Sequence, residues 1–384
     1  MIDAETGRLG PVRVVVAPDK FRGSLTAAAA ARAMSKGIRS QIPDCSVVEV
    51  PMADGGEGTL EALEAAGFRV RGPVLVHGPY GRRVQARWVR RGPIAVVQAA
   101  EAVGRRAVGS DRLRAPDATT RGVGELISAA LEPGVREVVV SLGGSVTTDG
   151  GAGMLAALGV EIADALGRPV GDGGAALEHA ASVSVARVDP RLRAVRIVGA
   201  VDVTNPLLGP DGAARLFAPQ KGASPVEVDQ LERALSHFAD VVAGSLGRDA
   251  RALAGAGAAG GTGFALAGVL DAMLVSGASL VGELTGCWSA LDGASLVVTG
   301  EGSLDAQSLL GKVPIEVARR ARAAHVPCVA IVGRCELEAA DLAEAGLGEV
   351  VALVDWANDA TEAQRRAAAL IAMLSARLAR RWCG

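Results

Sequence analysis

Short apolar runs alternate with helical patterns along most of this chain. Val12–Ala17, Ser46–Met52, Val138–Val140, Val195–Val201, Ser295–Thr299, Pro327–Val332 and Glu349–Val354 read as buried strands. Between them, apolar positions at helical spacing predict helices over Leu25–Ile38, Leu60–Ala66, Thr119–Leu131, Pro225–Ala243, Pro314–Ala324 and Thr361–Arg380. Strands that are apolar throughout, each followed by a helix, predict a mostly parallel sheet covered by helices, an α/β fold of Rossmann-like type. Arg69–Ala100 departs from this. Its apolar stretches are broken by Gly-Pro, Pro-Tyr-Gly-Arg-Arg and Arg-Gly-Pro, and Val84–Val89 alternates, so antiparallel hairpins are expected there. The change in composition near Gly72 marks a domain boundary.

Five of the apolar runs end in a loop with a carboxylate, usually beside glycine: Asp19, Asp54 with Glu57, Asp149, Asp202, and Glu301 with Asp305. One such loop is ordinary turn chemistry. Five along one edge of a parallel sheet would form a convergent site, because open parallel sheets bind ligands beyond the carboxyl ends of their strands. The richest loop is Val138–Leu155, where an apolar run breaks into Gly143, Gly144, Ser145, Thr147, Thr148, Asp149, Gly150, Gly151 and Gly153 and then resumes as a helix. Strand, glycine-rich turn and helix start suit an anion held on backbone N–H groups. A tight connection with Thr148 or Asp149 as helix cap is the alternative.

Composition narrows the function classes. At 384 residues, 49% hydrophobic and 21% charged, the chain can bury a large core in two domains. A net charge of −2 offers no nucleic-acid or membrane-surface signal. Five scattered cysteines without a C-x-x-C spacing and four histidines argue against a disulfide framework or a zinc site, which fits a reducing cytoplasm. Met1–Gly10 has acids and no apolar stretch, so it does not read as a signal peptide. Ala252–Gly282 carries one charge, Asp271, yet its glycines and alanines fit a closely packed helix pair better than a membrane span. Only four of the 40 basic residues are lysine (20, 36, 221 and 312), and three of these fall in glycine-rich motifs.

Familiar nucleotide signatures fail. Gly311-Lys312 lacks the earlier glycine and the following hydroxyl of a P-loop, and no G-x-G-x-x-G directly follows a strand. No histidine lies in the motif loops, so no Ser-His-Asp set can be assembled. What remains is Lys20, Arg22, Lys221 and Lys312 with Asp19, Asp149, Asp202, Glu301 and Asp305. Phosphoryl transfer needs such a set: positioning, and charge neutralisation by lysine, Mg²⁺ and backbone amides.

The motifs Ala17-Pro18-Asp19-Lys20-Phe21-Arg22-Gly23-Ser24, Asp54-Gly55-Gly56-Glu57-Gly58, Gly143-Gly144-Ser145-Val146-Thr147-Thr148-Asp149-Gly150-Gly151, Asp202-Val203-Thr204-Asn205-Pro206, Pro219-Gln220-Lys221-Gly222, Gly257–Gly261 and Gly300-Glu301-Gly302-Ser303-Leu304-Asp305 with Gly311-Lys312 stand in one order along the chain. Together they resemble the bacterial type I glycerate kinases. Lys20 and Arg22 stand where many members have Ser and Lys, Thr148 where Asn is common, and Arg121 where an aromatic is usual.

The resemblance implies ATP- and Mg²⁺-dependent phosphorylation of D-glycerate, commonly at the 2-hydroxyl. It also implies two α/β domains with the active site in the cleft between them: residues 1–71 with 290–384 as the Rossmann-like domain, and 72–289 inserted as the second. In that reading Asp149, Lys20 and Asp202 are catalytic. Asp19, Arg22, Ser24, Ser145, Thr147, Asn205 and Lys221 hold substrate. Gly143, Gly144, Gly150, Glu301 and Lys312 hold nucleotide phosphate, and Asp202, Glu301 and Asp305 take the metal. Glycerate and ATP are the expected partners, with a homodimer left open. A kinase for a related hydroxy acid, a 3-phosphoglycerate-forming enzyme, and a ligand-binding regulatory protein on the same fold are the alternatives.

Overall fold

The computed structural model describes residues 12–383, so the reading of Met1–Gly10 lies outside the described residues. Thirteen strands follow in order: β1 Arg13–Pro18, β2 Ser46–Glu49, β3 Arg69–His77, β4 Arg83–Arg91, β5 Ile94–Gln98, β6 Glu137–Ser141, β7 Glu161–Ala163, β8 Ser182–Ser184, β9 Arg196–Val201, β10 Met273–Ser276, β11 Leu296–Leu304, β12 Cys328–Cys335 and β13 Glu349–Ala352. The chain divides into two compact units. Among the described residues, the first holds 12–54, Glu61–Ala66 and 278–383, and the second holds Gly55–Leu60 and Gly67–Gly277.

The first unit is built on a five-stranded sheet in the order β13-β12-β11-β1-β2, parallel throughout. Both faces are buried, and the two-residue period of a strand divides the side chains between them. Val14 and Val16 pack with the helices Ala27–Gln41 and Ala367–Cys383, while Val15 and Ala17 pack with the helix Val313–Ala323. The first helix is capped by Thr26, whose hydroxyl accepts the Ala29 N–H at 3.2 Å. It meets the C-terminal helix closely at Gly37, where a Cβ would fall 2.0 Å from the Ala372 carbonyl oxygen. The expected helix Thr361–Arg380 is two pieces, Ala360–Arg365 and Ala367–Cys383, with Arg366 leaving helical geometry between them.

The second unit carries a six-stranded sheet in the order β10-β9-β6-β5-β4-β3. β3, β4 and β5 pair antiparallel, as the broken, alternating pattern predicts, and β5, β6, β9 and β10 pair parallel. Gly72-Pro73 lies inside β3, where the register with β4 shifts between Arg71 and Val74. The helix Pro225–Leu246 follows its sequence signals. Ser224 and Glu227 form a capping box, Pro225 opens the helix, and Gly247 at φ 67° ends it.

Two expectations are corrected. The five carboxylate loops do not share one sheet edge: Asp19, Asp54 and Glu301 follow or lie on strands of the first sheet, while Asp149 and Asp202 follow strands of the second. Parallel strands join through long crossovers, so apolar runs alone do not assign a strand to its sheet. Ala252–Gly282 is likewise not a helix pair alone. Helices Ala258–Gly268 and Gly277–Thr285 flank edge strand β10, whose residues are only half-buried or exposed. Among the described residues no helix is long and apolar enough to cross a membrane.

Candidate active site

In the first unit, the carboxyl ends of the strands open on a cavity of about 460 Å³. Its walls include Asp19, Lys20, Arg22 and Ser24 after β1, Asp54 after β2, Glu301 and Asp305 at the end of β11, Lys312 before the next helix, and Arg334 on β12. Pairing sets these at one level. Pro18 lies opposite Gly300, Glu301 opposite Val332, and Ser303 opposite Arg334. The Asp19 N–H continues the ladder by donating to the Gly300 carbonyl at 2.8 Å.

Three carboxylates in this cavity act on one another. Burial pushes Asp19 up to about 7; Lys20 opposes the shift, Asp54 adds to it, and Arg22 opposes it more weakly. Burial also pushes Glu301 up to about 7, with Lys312 opposing and Asp19 and Asp54 adding. Glu301 is 7% exposed, and its Oε1 is buried without a hydrogen-bond partner. Lys20 is tied to Asp19 by a backbone N–H bond of 2.6 Å to Oδ1, and its Nζ lies 3.9 Å from the same oxygen. Asp305 serves the turn as well as the cavity. Its Oδ1 accepts the Ser308 N–H at 3.1 Å and lies 3.7 Å from the Lys312 Nζ. Ser24 donates to the Phe21 carbonyl at 3.1 Å, closing the turn after β1.

The second unit uses its motif residues differently. Asp149 is fully buried. Its Oδ2 accepts the Thr120 N–H at 2.7 Å, the Thr120 hydroxyl at 2.8 Å and the Gly153 N–H at 3.2 Å, and its Oδ1 accepts the Gly151 N–H at 3.2 Å. Burial raises its pKa, and these four bonds pull against the rise. The geometry is that of a carboxylate joining the start of helix Arg121–Ala130 to the start of helix Ala152–Ala157.

Lys221 is also buried and donates from Nζ to the Thr147 carbonyl at 2.7 Å. Burial lowers its pKa to about 8, and Asp149 resists the fall. The Thr147 and Thr148 hydroxyls are fully buried without partners, as is the Oγ of half-buried Ser145.

The glycine-rich turn commits two of its N–H groups to neighbouring backbone. The Gly143 N–H donates to the Gly55 carbonyl at 3.2 Å, and the Gly150 N–H donates to the Gly260 carbonyl at 3.0 Å. Gly143 and Gly150 therefore join backbone to backbone, and only Gly144 in this group is exposed. The match between turns is tight: Ala259, Gly260 and Gly261 are all left-handed, and a Cβ on Gly260 would sit 2.0 Å from the Thr147 oxygen. Asp202 is exposed at the end of β9. Asn205 donates from Nδ2 to the Asp211 carbonyl at 2.9 Å, and its own carbonyl accepts the Gly257 N–H at 2.9 Å. Of the three expected metal ligands, Glu301 and Asp305 share the first unit's cavity and Asp202 belongs to the second unit. Among the described residues, no group of three or more His, Cys, Asp and Glu side chains forms a candidate metal cage.

Three further residues bear on the two units. Asp172 accepts Arg121 Nη2 at 2.8 Å and the Thr119 hydroxyl at 3.2 Å, which gives the arginine at position 121 a partner. Asp54 joins the cavity while Glu57, weighed equally with it, is exposed outside it. Arg334 lies in no glycine-rich motif. The available signal was its place two residues past the apolar run Pro327–Val332, at a strand's carboxyl end.

Comparisons with known proteins agree over nearly the whole chain. The glycerate kinase family pattern matches residues 14–383. The chain is 41% identical to the glycerate 2-kinase of Escherichia coli (strain K12), covering 93% of this chain and 94% of that protein. It is also 41% identical to the glycerate kinase of Bacillus subtilis (strain 168), over the same shares. A crystal structure assigned as glycerate kinase 2 from Salmonella typhimurium LT2 superposes with a TM-score of 0.84 at 38% identity, covering 97% of this chain and 98% of that one. Fold and relatives together define an α/β enzyme, a kinase. The chain belongs to the glycerate kinase family.

Proposed function

We propose that the enzyme transfers the γ-phosphoryl group of ATP to the 2-hydroxyl of D-glycerate, giving 2-phosphoglycerate and ADP. The observation that carries this reading is the first unit's cavity, where Lys20, Arg22, Lys312 and Arg334 line the same walls as Asp19, Asp54, Glu301 and Asp305. A loose phosphoryl-transfer transition state is stabilised mainly by charge placement, and this set supplies both signs. The acceptor oxygen forms a bond to the γ-phosphorus as the bond to the ADP oxygen breaks. The hydroxyl proton passes to Asp19, which burial has brought to about 7, near the pH at which a general base works best. Lys20 and Arg22 bind the transferred group or the glycerate carboxylate. Asp149 and Lys221 shape the second unit through the bonds described above, in place of contact with the reacting atoms.

The residues fit a divalent cation. All the donors are oxygens, which suit Mg²⁺, and Glu301 has a buried Oε1 without a partner. Asp54 and Glu301 would hold it, with water and substrate phosphate completing its shell and Asp19 left free to take the proton. When bound, Mg²⁺ supplies charge neutralisation of the nucleotide phosphates.

The test is a coupled ADP-release assay with Mg-ATP over a panel of hydroxy acids, with the product read by NMR. D-glycerate should be the preferred acceptor and 2-phosphoglycerate the product. Preference for another hydroxy acid, or a 3-phosphoglycerate product, overturns the assignment in that respect. Absence of ADP release overturns it altogether.

A further inference from the structure

The walls of the first unit's cavity change character in the order of the strands. At the β13 end they are Leu353 and Val354, then Ala360, Ala363 and Gln364 from the segment that follows, and none of these is charged. Next comes β12, with Gly333 and Arg334. β11 follows with Glu301, Gly302 and Ser303, and Lys312 lies beyond it. β1 brings Asp19, Lys20 and Arg22. Register pins the order, since Ala352 lies opposite Val332, Val332 opposite Glu301, and Pro18 opposite Gly300. At about 4.8 Å between neighbouring strands, β13 and β1 are about 14 Å apart along the hydrogen-bonding direction.

An extended nucleoside triphosphate has the same gradient over a similar length: an apolar base, a sugar, then a chain of phosphates. We infer that the nucleobase sits against Leu353, Val354, Ala360 and Ala363 with Gln364 at its polar edge, and that the phosphates pass Arg334 and Lys312 to reach Lys20 and Arg22. This rests on ATP being the donor. The reverse orientation would set several negative charges against an uncharged wall and the base against Asp19, Asp54 and Glu301. The floor favours the same path. Gly302 and Gly333 line the cavity between these walls without side chains. Arg334 is held for its part by Ser303, whose Oγ accepts its Nε–H at 3.0 Å. The structure thus gives the C-terminal segment 353–364 the role of base subsite and Arg334 that of a phosphate contact, neither of which lies in the glycine-rich motifs.

Three variants separate the parts. Ala360 and Gln364 are exposed to the cavity side of solvent, so Ala360→Trp and Gln364→Ala should fold, which circular dichroism checks. Ala360→Trp should raise the KM for ATP about tenfold or more, and Gln364→Ala by a smaller factor, with the KM for glycerate within twofold of wild type. Inorganic tripolyphosphate, a competitor lacking the base, should inhibit Ala360→Trp as strongly as wild type. Arg334→Ala should weaken tripolyphosphate and ATP together. An unchanged ATP KM in both Ala360→Trp and Gln364→Ala, or a raised glycerate KM with unchanged ATP KM, overturns the base subsite. Unchanged tripolyphosphate inhibition in Arg334→Ala overturns the phosphate contact. A wild-type enzyme that turns over glycerate with a different donor, and not with ATP, overturns the donor reading instead.

Discussion

Replacing Lys221 with methionine tests whether its ammonium is carried at a cost to stability. In the folded protein its pKa falls from 10.5 to about 8 because burial strips the ammonium of water. At 1.36 kcal/mol per unit, keeping it charged at neutral pH costs about 3 kcal/mol. Against this, the variant leaves the Thr147 carbonyl, now 2.7 Å from Nζ, without its donor, which costs about 1–3 kcal/mol. The two nearly offset, so Lys221→Met should lie within about 2 kcal/mol of wild type at pH 7.

The pH dependence is sharper. The unfolded chain keeps the lysine proton up to 10.5 while the folded chain loses it near 8, so raising the pH between those values favours the folded state. Wild type should therefore gain about 3 kcal/mol on Lys221→Met from pH 8 to pH 10.5. Urea unfolding of both proteins across that range reads the gap. Carbon NMR of ε-labelled lysine reads the site directly, since the chain has only four lysines and the variant assigns the missing signal. A Lys221 midpoint at 10 or above, or a stability gap that stays flat with pH, refutes the reasoning.

Three other perturbations follow from the same geometry. Asp149→Ala strands the Thr120 N–H and O–H and the Gly151 and Gly153 N–H groups, so at about 1–3 kcal/mol for each buried donor the loss should exceed about 4 kcal/mol; a wild-type melting temperature would remove Asp149 as an anchor. Burial raises Glu301 from 4.5 to about 7, so its carboxylate weakens the fold as pH rises through that window; Glu301→Gln should be more stable than wild type by up to about 3 kcal/mol at pH 8, with the advantage gone below pH 4.5, and thermal unfolding at both pH values decides it. Gly260→Ala and Gly167→Ala both put alanine at positive φ, but only Gly260 would drive a Cβ into backbone, at 2.0 Å, while Gly167 has open space. The first should cost more than about 3 kcal/mol and the second about 1, and equal melting temperatures would contradict the packing argument.

Strand identity was legible in the sequence because burial on both faces leaves no polar positions to confuse it. Val14 to Ala17 are all fully buried, and the run reads as apolar from end to end. β10 escaped for the opposite reason. Met-Leu-Val-Ser is a short edge with an exposed methionine, set in a stretch of glycine and alanine that reads equally well as helix. The candidate site divides along a similar line. A strand-end carboxylate announces itself locally, but whether it is available for chemistry depends on what the fold brings to it. Asp19 and Asp149 look alike in sequence, each at the end of an apolar run. Thr120, twenty-nine residues away, supplies two of the four donors that occupy Asp149. Asp19 keeps a place on a cavity wall with Asp54 and Glu301 nearby. The same burial raises the pKa of both carboxylates, so the shift alone cannot tell anchor from reactant. What separates them is the count of donors already committed, and those come from residues distant in the chain. A glycine-rich turn follows the same rule: Gly143 and Gly150 carry the composition of an anion cradle, yet their N–H groups face the carbonyls of Gly55 and Gly260.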